Sequence, residues 1–266
     1  MSVVQPKPLE LKVLETKWES LDVKSLKFGL DKNKFDYKPG QYIVLTLDGV
    51  KNDPRGNFRD FSIASSPTEK GFLMISTKIS DSFFKQKLKS LDKNDKVKVK
   101  GPFGQFVLQN DMTKHAVMLS GGIGITPLRD MIKFATDDNL SVKITLFYSN
   151  RVPEEIVYRE ELDYLQKVNE NLTIIHTITR PQESKQKWEG RVGRIDKKMI
   201  NEYVSDLGNS IFYICGPPAM VDAMLTLLKS MKIKEENIGI AATSGEGLTE
   251  FGKGKGMQCI AAVTLK

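Results

Sequence analysis

One segment near the middle of the chain limits its possible folds more than any other. An apolar, strand-like run at residues 116–120 leads directly into the glycine-rich stretch 121–127, and a helix-like pattern follows it. A strand, a glycine turn and a helix N-terminus in this order can bind a dinucleotide, because glycines let the backbone approach a pyrophosphate and the helix offers free N–H groups. The alternative is a tight turn with a purely structural role.

Five residues of this stretch are candidate nucleotide ligands. Gly121 follows the predicted strand, and Gly122 and Gly124 permit the close approach of a pyrophosphate. Thr126 and Pro127 are predicted to be the cap and the first residue of the helix. The pattern is GxGxxP rather than GxGxxG, and no GxxxxGK followed by Ser or Thr occurs in the chain, so the sequence argues against a P-loop NTPase.

From residue 115 onward, strand-like and helix-like runs alternate. The predicted strands are residues 115–120, 142–149, 172–179, 211–215 and 237–242, and the predicted helices are residues 127–136, 153–167, 196–204 and 218–231. This alternation predicts an α/β domain with a parallel sheet and right-handed crossovers.

The first part of the chain has a different pattern. Short β-rich runs, separated by Pro/Gly turn signals, occur at residues 9–14, 23–30, 42–48, 72–79 and 96–100. This spacing predicts an antiparallel barrel or sandwich, interrupted by one helix after the candidate caps at residues 80–82. The predicted apolar stripe of this helix is Phe83, Phe84, Leu88 and Leu91. The length of 266 residues suits two domains, which we predict to be residues 1–110 and 111–266. The glycine-rich tail 244–256 is predicted to be a mobile loop.

Composition excludes several classes of function. With only Cys215, Cys259, His115 and His176 available, and both histidines inside apolar runs, we expect neither a metal site nor a histidine-based hydrolase. The net charge of +7 suits phosphate ligands or an acidic partner, but the lysines are dispersed, which argues against nucleic acid. No transmembrane segment or signal peptide is predicted, so the expected location is cytoplasmic.

A second candidate binding motif lies in the first domain, where Arg59-Asp60-Phe61-Ser62 begins a predicted strand. The two-residue period of a strand places Arg59 and Phe61 on one face and Ser62 on the other. The first face offers a guanidinium for a phosphate and an aromatic ring for stacking. The alternative is an exposed arginine beside a core phenylalanine.

Four motifs in order give the chain a resemblance to a known family. Residues 59–65 resemble the Arg-x-Tyr-Ser flavin motif of the ferredoxin–NADP reductase family, and residues 101–104 resemble its Gly-Pro-x-Gly turn. Residues 121–127 are similar to the pyridine-nucleotide loop of that family, and residues 214–220 to its Cys-Gly-Pro-Pro-x-Met signature. The resemblance implies an antiparallel β-barrel flavin domain followed by an α/β parallel-sheet nicotinamide-nucleotide domain.

The resemblance also implies a reaction and a set of ligands. Hydride would pass between NAD(P)H and a flavin, FAD rather than FMN, and the electrons would go on to a protein acceptor. Arg59 would bind the flavin phosphate, Phe61 would stack on the flavin ring, Ser62 would lie near flavin N5, and Ile63 belongs to the same segment. Ser82 matches a serine that contacts the pyrophosphate, although the glycine that often precedes it is missing.

At the nicotinamide, the resemblance implies a site formed by Cys215, Gly216 and Pro217. Ser62 and Cys215 are the two catalytic candidates, while a small buried residue is the alternative interpretation of Cys215.

The chain departs from the family pattern in two places. The motif aromatic is Phe61 where relatives usually have Tyr, so stacking is kept and a phenol hydrogen bond is lost. The C-terminus continues fifteen residues past Phe251, which is a candidate cover for the flavin, and a short apolar tail at 257–265 is a candidate edge strand.

Arginines at the predicted strand ends favour NADPH over NADH. Arg151 follows the second parallel strand and Arg180 the third, with no acidic residue expected there to bind a ribose hydroxyl. Pairing of Arg151 with Glu154 or Glu155 is the alternative.

The acceptor stays open between a small acidic ferredoxin or flavodoxin and a larger oxygenase or hydrogenase-like complex, and a nucleotide sensor without turnover is a third possibility. A positive rim for an acidic partner is predicted from Lys32, Lys34, Lys38, Lys85, Lys87 and Lys89.

Overall fold

The computed structural model describes residues 7–31, 34–51 and 53–242. The predicted tail features, including Phe251 and Cys259, and the predicted rim residue Lys32 lie outside these residues. The described chain contains two six-stranded sheets, one after the other along the sequence.

The first sheet is antiparallel and forms the barrel predicted for the N-terminal part. Its strands are β1 (Leu9–Trp18), β2 (Val23–Gly29), β3 (Tyr42–Thr46), β4 (Phe58–Ser62), β5 (Phe72–Lys78) and β6 (Lys96–Phe103), in the spatial order β4-β3-β6-β1-β2-β5. The edge strands β4 and β5 are brought together by the N–H of Ala64, which donates to the carbonyl of Met74 at 2.7 Å.

Helix α1 (Phe83–Lys89) packs on this sheet and contributes to its core. Ser82 is its N-cap, and its hydroxyl accepts the N–H of Lys85 at 3.3 Å. Phe84 and Leu88 are buried in the barrel core, whereas Phe83, which we included in the apolar stripe, is exposed. The prediction for Phe83 was therefore wrong, because the helix phase turns that residue towards solvent.

The second sheet is parallel, as predicted. Its strands are β7 (His115–Gly121), β8 (Ile144–Asn150), β9 (Leu172–Ile178), β10 (Arg191–Val192), β11 (Ser210–Gly216) and β12 (Ile238–Ala242), in the order β10-β9-β8-β7-β11-β12. Every residue of the central strand β7 is buried, because two apolar clusters cover the two faces of the sheet. Its helices are α2 (Ile125–Asp137), α3 (Arg159–Val168), α4 (Lys197–Tyr203) and α5 (Pro218–Ser230).

One predicted helix is interrupted. Residues 153–167 do not form a single helix, because only Pro153–Glu155 make a 3-10 turn and α3 starts at Arg159. Tyr158 has a φ of 60° and breaks the helix between them. A contact from β8 stabilises this conformation, because the hydroxyl of Tyr148 accepts the N–H of Val157 at 3.3 Å.

Both histidines lie in the second domain, where His176 is half-buried. His115 is 9% exposed and its Nε2 lies 2.8 Å from the Thr145 hydroxyl. None of the helices in the described residues is long and apolar enough to cross a membrane.

Candidate active site

The two domains enclose a cleft of about 540 Å³, which we call the interdomain cleft. The barrel lines it with Val23, Thr77 and Lys85, and the α/β domain lines it with residues at the carboxyl edge of the parallel sheet, among them Gly121, Gly122, Asn150, Arg151, Glu155, Arg194, Pro217 and Met220. Ligands of open α/β sheets bind at this edge, so the cleft is the candidate site.

The glycine loop reaches the cleft through Gly122. This residue has a φ of 53°, which favours glycine, and a Cβ placed there would meet nothing within 4 Å, so its backbone faces open space. A Cβ at Gly121 would lie 2.3 Å from the Sδ of Met220, and one at Gly124 would lie 2.2 Å from the carbonyl oxygen of Cys215. The loop therefore needs glycine at position 124, where the obstacle is backbone, and at position 122 for its left-handed conformation, whereas the Met220 side chain could move away from a Cβ at position 121.

The predicted helix start in this loop was wrong by two residues. Helix α2 begins at Ile125 with Gly124 as its N-cap, so Thr126 is not the cap and Pro127 is not the first residue. Thr126 and Pro127 are both buried, and the Thr126 hydroxyl donates to the carbonyl of Ile123 at 2.8 Å. These two residues therefore support the glycine loop by packing on the side away from the cleft. Residues Gly122–Gly124 form a 3-10 turn that runs directly into α2, so the N–H of Ile125 is already bound to the carbonyls of Gly122 and Ile123. No side chain caps this turn, which leaves the N–H groups at its start available to an anion.

Cys215 lies beneath the loop at the end of β11 and is fully buried. Burial raises the pKa of the Cys215 thiol far above its ordinary range, so the sulfur stays protonated. Gly216 follows it, and Pro217 contacts the cleft at the N-cap of α5. In this structure Cys215 can affect a bound nicotinamide through the shape of the loop, and its thiolate is not an available nucleophile.

The arginines expected to choose the nucleotide both have carboxylate partners. Arg151 lines the cleft, and its Nε donates to Glu155 at 3.0 Å. Arg180 pairs with Glu183 at 3.3 Å and is not among the cleft residues. The expectation that no acid lies near the end of the second strand was wrong, because the turn at Pro153–Glu155 brings the Glu155 carboxylate to the cleft.

On the barrel side, Arg59 and Phe61 share one face of β4, as predicted. The Arg59 guanidinium lies 4.9 Å from the centre of the Phe84 ring, and Phe61 stacks on Phe84 at 6.1 Å. Phe61 is 7% exposed, so most of its ring belongs to the barrel core. Ser62 is half-buried beside it, whereas the Ile63 side chain points into the core and is fully buried.

Arg59 is fixed before any ligand binds. It forms an ion pair with Asp53 at 2.6 Å and donates to the carbonyls of Arg55 and Gly56 at 3.0 and 3.1 Å. Burial acts to raise the pKa of Asp53, but N–H donors from Arg55 and Phe84 together with the Arg59 guanidinium hold it below its ordinary value. The Arg59 Nε is buried without a hydrogen-bond partner among the described residues.

Lys85 is a site residue that the sequence analysis placed elsewhere. We predicted it in an exposed rim, but its Nζ lies 4.8 Å from the centre of the Phe61 ring, contacts the Thr77 hydroxyl and lines the cleft. Burial, with Arg59 and Arg55 nearby, lowers the pKa of Lys85 to about 7. In the sequence it resembles the other lysines of α1, so only these contacts identify its position in the cleft.

The residues present fit a flavin that carries phosphate. An unpartnered Arg59 Nε–H and the Lys85 ammonium are both suited to phosphate oxygens, and Phe61 and Ser62 lie on the same strand as Arg59. Across the cleft, the open face of Gly122 and the uncapped 3-10 turn at Gly122–Gly124 fit a second phosphate-bearing ligand.

Comparisons with known proteins agree with this geometry. The family model of the oxidoreductase FAD-binding domain matches residues 10–108, and that of the oxidoreductase NAD-binding domain matches residues 118–226. The chain is 32% identical over 198 residues to the F subunit of the Na(+)-translocating NADH-quinone reductase of Idiomarina loihiensis, a match that covers 68% of this chain and 47% of that protein. It is 31% identical over 207 residues to NADH-cytochrome b5 reductase 1 of Coccidioides immitis, with 75% and 66% covered.

Solved structures share the fold. The cytochrome b5 reductase domain of Ulva prolifera nitrate reductase superposes with a TM-score of 0.76 at 24% identity, over 88% of this chain and 97% of that one. The ferredoxin-NADP+ reductase of Plasmodium falciparum gives 0.72 at 22% identity, over 89% and 96%. The chain spans about half the length of the first curated relative and about two thirds of the second.

Proposed function

Because this chain belongs to the ferredoxin–NADP reductase family of flavin-dependent oxidoreductases, we propose that it oxidises a reduced nicotinamide nucleotide with FAD and delivers the electrons to a separate acceptor. One observation carries the proposal: the carboxyl edge of the parallel sheet faces barrel residues of β2, β5 and α1 across a single cleft. Among these barrel residues, Lys85 packs on the Phe61 ring of β4. Two cofactor rings held on these two surfaces would meet in the cleft.

The FAD would supply the ability to accept a hydride and release electrons one at a time. The chain supplies binding and orientation. Arg59 would hold the phosphate, Phe61 would support the ring, and the Ser62 hydroxyl, which is half-buried at the end of β4, would donate a hydrogen bond to it. Ser82 is the weaker ligand, because its hydroxyl already caps α1.

On the other side, the glycine loop and the uncapped N–H groups at the start of its 3-10 turn would bind the nucleotide pyrophosphate. Pro217 and Met220 would border the nicotinamide, with Cys215 beneath them. These fixed surfaces would hold the two reacting rings in contact and exclude water, which is the main catalytic contribution a protein makes to hydride transfer.

NADH is the nucleotide that the cleft supports best. A carboxylate near the end of the second strand can accept hydrogen bonds from ribose hydroxyls, whereas it repels a 2′-phosphate, and Glu155 lies in that position. The expected preference for NADPH rested on Arg151 and Arg180, and each of these is paired with a carboxylate.

For the acceptor, we propose a small acidic redox protein. The net charge of +7 and the exposed Lys34, Lys38, Lys87 and Lys89 of the barrel domain support this choice. Association with a larger complex is the second candidate, since one relative bears the name of one component of a Na(+)-translocating reductase. The cytoplasmic location stays a prediction.

Visible spectroscopy tests the proposed function. The purified protein, reconstituted with FAD, should show flavin absorption that bleaches without oxygen when NADH is added. Protein that takes up no flavin would overturn the proposal, and flavin that neither nucleotide reduces would favour a sensor without turnover. Copurification of a stable partner complex would favour the second candidate for the acceptor.

A further inference from the structure

A lysine without an acidic partner lies inside the interdomain cleft. The Lys85 side chain leaves α1 towards the barrel, where its Nζ contacts the Thr77 hydroxyl and the face of the Phe61 ring. No carboxylate forms an ion pair with it among residues 7–31, 34–51 and 53–242. A half-buried position with no carboxylate partner costs an ammonium group part of its hydration without an ion pair in return, so a lysine at this point needs an explanation.

The charges that face Lys85 make the surroundings positive. Arg59 on β4 and Arg55 in the preceding loop both disfavour its charged form. Asp53 is the acid in this loop that could offset them, and it is already bound by Arg59 and by two backbone N–H groups. On β5, Lys78 pairs with Asp22 at the cleft.

We propose that the Lys85 ammonium group is a direct ligand of the flavin phosphate, acting beside Arg59. This inference rests on the proposed function and deepens it. An anion at this point would satisfy the Arg59 Nε and the Lys85 Nζ together, and it would neutralise the positive region that the chain leaves without a counter-charge. Ser82, the ligand expected from the family resemblance, would then be a helix cap and Lys85 its functional replacement.

If Lys85 binds the flavin phosphate, the affinity for FAD should depend on pH. In the free protein the pKa of Lys85 is lowered to about 7, and a phosphate beside it would raise this pKa. Above that value the lysine is neutral and must take up a proton when FAD binds, whereas below it the lysine is already charged. FAD affinity should therefore fall as the pH rises, approaching about tenfold per pH unit.

The test measures flavin binding rather than turnover. The apoprotein is titrated with FAD, FMN and riboflavin, for wild type, Lys85→Met, Lys85→Arg and the control Lys87→Met, which removes an exposed lysine of the same helix. Lys85→Met should weaken FAD and FMN by about 10-fold or more, the usual effect of losing one charge-assisted hydrogen bond. It should leave riboflavin, which has no phosphate, unchanged, and Lys85→Arg and Lys87→Met should stay close to wild type.

Calorimetry in buffers of different ionisation enthalpy gives a second readout on wild type alone. FAD binding near pH 8 should take up close to one proton, and the uptake should disappear near pH 6 and in Lys85→Arg. If Lys85→Met fails to fold, the proton uptake of wild type and of Lys85→Arg still tests the proposal.

The outcomes separate this inference from the proposed function. Wild type that binds no flavin overturns both. Wild type that binds FAD with no proton uptake, or Lys85→Met that binds FAD as well as wild type does, overturns the inference and leaves the proposed function standing. An equal loss of FAD and riboflavin would place Lys85 against the ring instead and would also overturn it.

Discussion

Arg129 of α2 forms an ion pair with Glu69 of the barrel domain across the domain boundary, with its Nη2 at 3.1 Å from Glu69 Oε1. The same guanidinium donates from Nη1 to the carbonyl of Ala64 at 2.9 Å and from Nε to Glu161 at 3.1 Å. Arg129 is 4% exposed. Helix α2, which begins at the glycine loop, is thereby fixed to the flavin domain four residues after its start.

Arg129→Met should destabilise the protein by about 3 kcal/mol, because it leaves the half-buried carboxylates of Glu69 and Glu161 without their shared buried cation. Urea unfolding of the apoprotein measures the change. The control is Lys133→Ala on the same helix, which removes an i,i+4 ion pair with Asp137 and should cost about 0.5 kcal/mol or less. A loss below about 1 kcal/mol for Arg129→Met would show that the ion pairs of Arg129 contribute little to the free energy of unfolding.

The architecture and the motifs could be predicted from the sequence because they depend on local pattern. Alternation of strands and helices identified the parallel sheet, and a glycine loop between β7 and α2 identified its ligand edge. Period-2 spacing on β4 placed Arg59 and Phe61 on one face.

The missed site residues depend on contacts between distant segments. Glu155 reaches the cleft because the predicted helix is broken by the left-handed backbone of Tyr158 and by the hydrogen bond from Val157 to Tyr148. The sequence near residue 155 indicates neither of these features. Lys85 resembles its exposed neighbours Lys87 and Lys89, and only its packing against Phe61 and Thr77 distinguishes it from them.

Cys215→Ala should slow flavin reduction by NADH by about 10-fold while changing nucleotide affinity much less, because small displacements of the reacting rings reduce the rate steeply. The carbonyl of Cys215 supports Gly124, so a smaller side chain would let the loop above it shift. Stopped-flow reduction gives the rate, and the concentration dependence gives the affinity. An unchanged rate would identify Cys215 as a packing residue.

Stability should fall as the pH is lowered from about 6.5 towards 4, and His115 should account for part of this fall. Burial, with a contribution from Lys143, lowers the pKa of His115 from 6.5 to about 4. Between these values the unfolded chain binds a proton that the folded chain does not, so acidification favours unfolding by up to about 3 kcal/mol. Urea unfolding of wild type and His115→Gln at several pH values checks this. Equal pH slopes for the two proteins would contradict it.

Glu155→Gln should reduce the preference for NADH over NADPH. The carboxylate is proposed to accept hydrogen bonds from the ribose, and its loss also frees Arg151 to meet a 2′-phosphate. We expect the ratio of kcat/KM values to shift towards NADPH by about 10-fold, the value of roughly one charged hydrogen bond. Glu183→Gln is the matched control, since it frees Arg180 outside the cleft.

Transfer of electrons to an acidic acceptor should depend on salt. Lysines on the exposed surface of the barrel domain would attract an acidic protein over a distance limited by salt, so acceptor reduction should slow as ionic strength rises, while flavin reduction by NADH should change little. Exchanging the exposed Lys87 and Lys89 of α1 for Glu should reduce the rate with a ferredoxin by several-fold at low salt. The double exchange of Lys197 and Lys198 for Glu, on α4 of the other domain, changes the net charge equally and should have a smaller effect. If both double variants slow the acceptor equally, or if both half-reactions respond to salt alike, the α1 face is not a docking surface, and net charge alone governs the encounter.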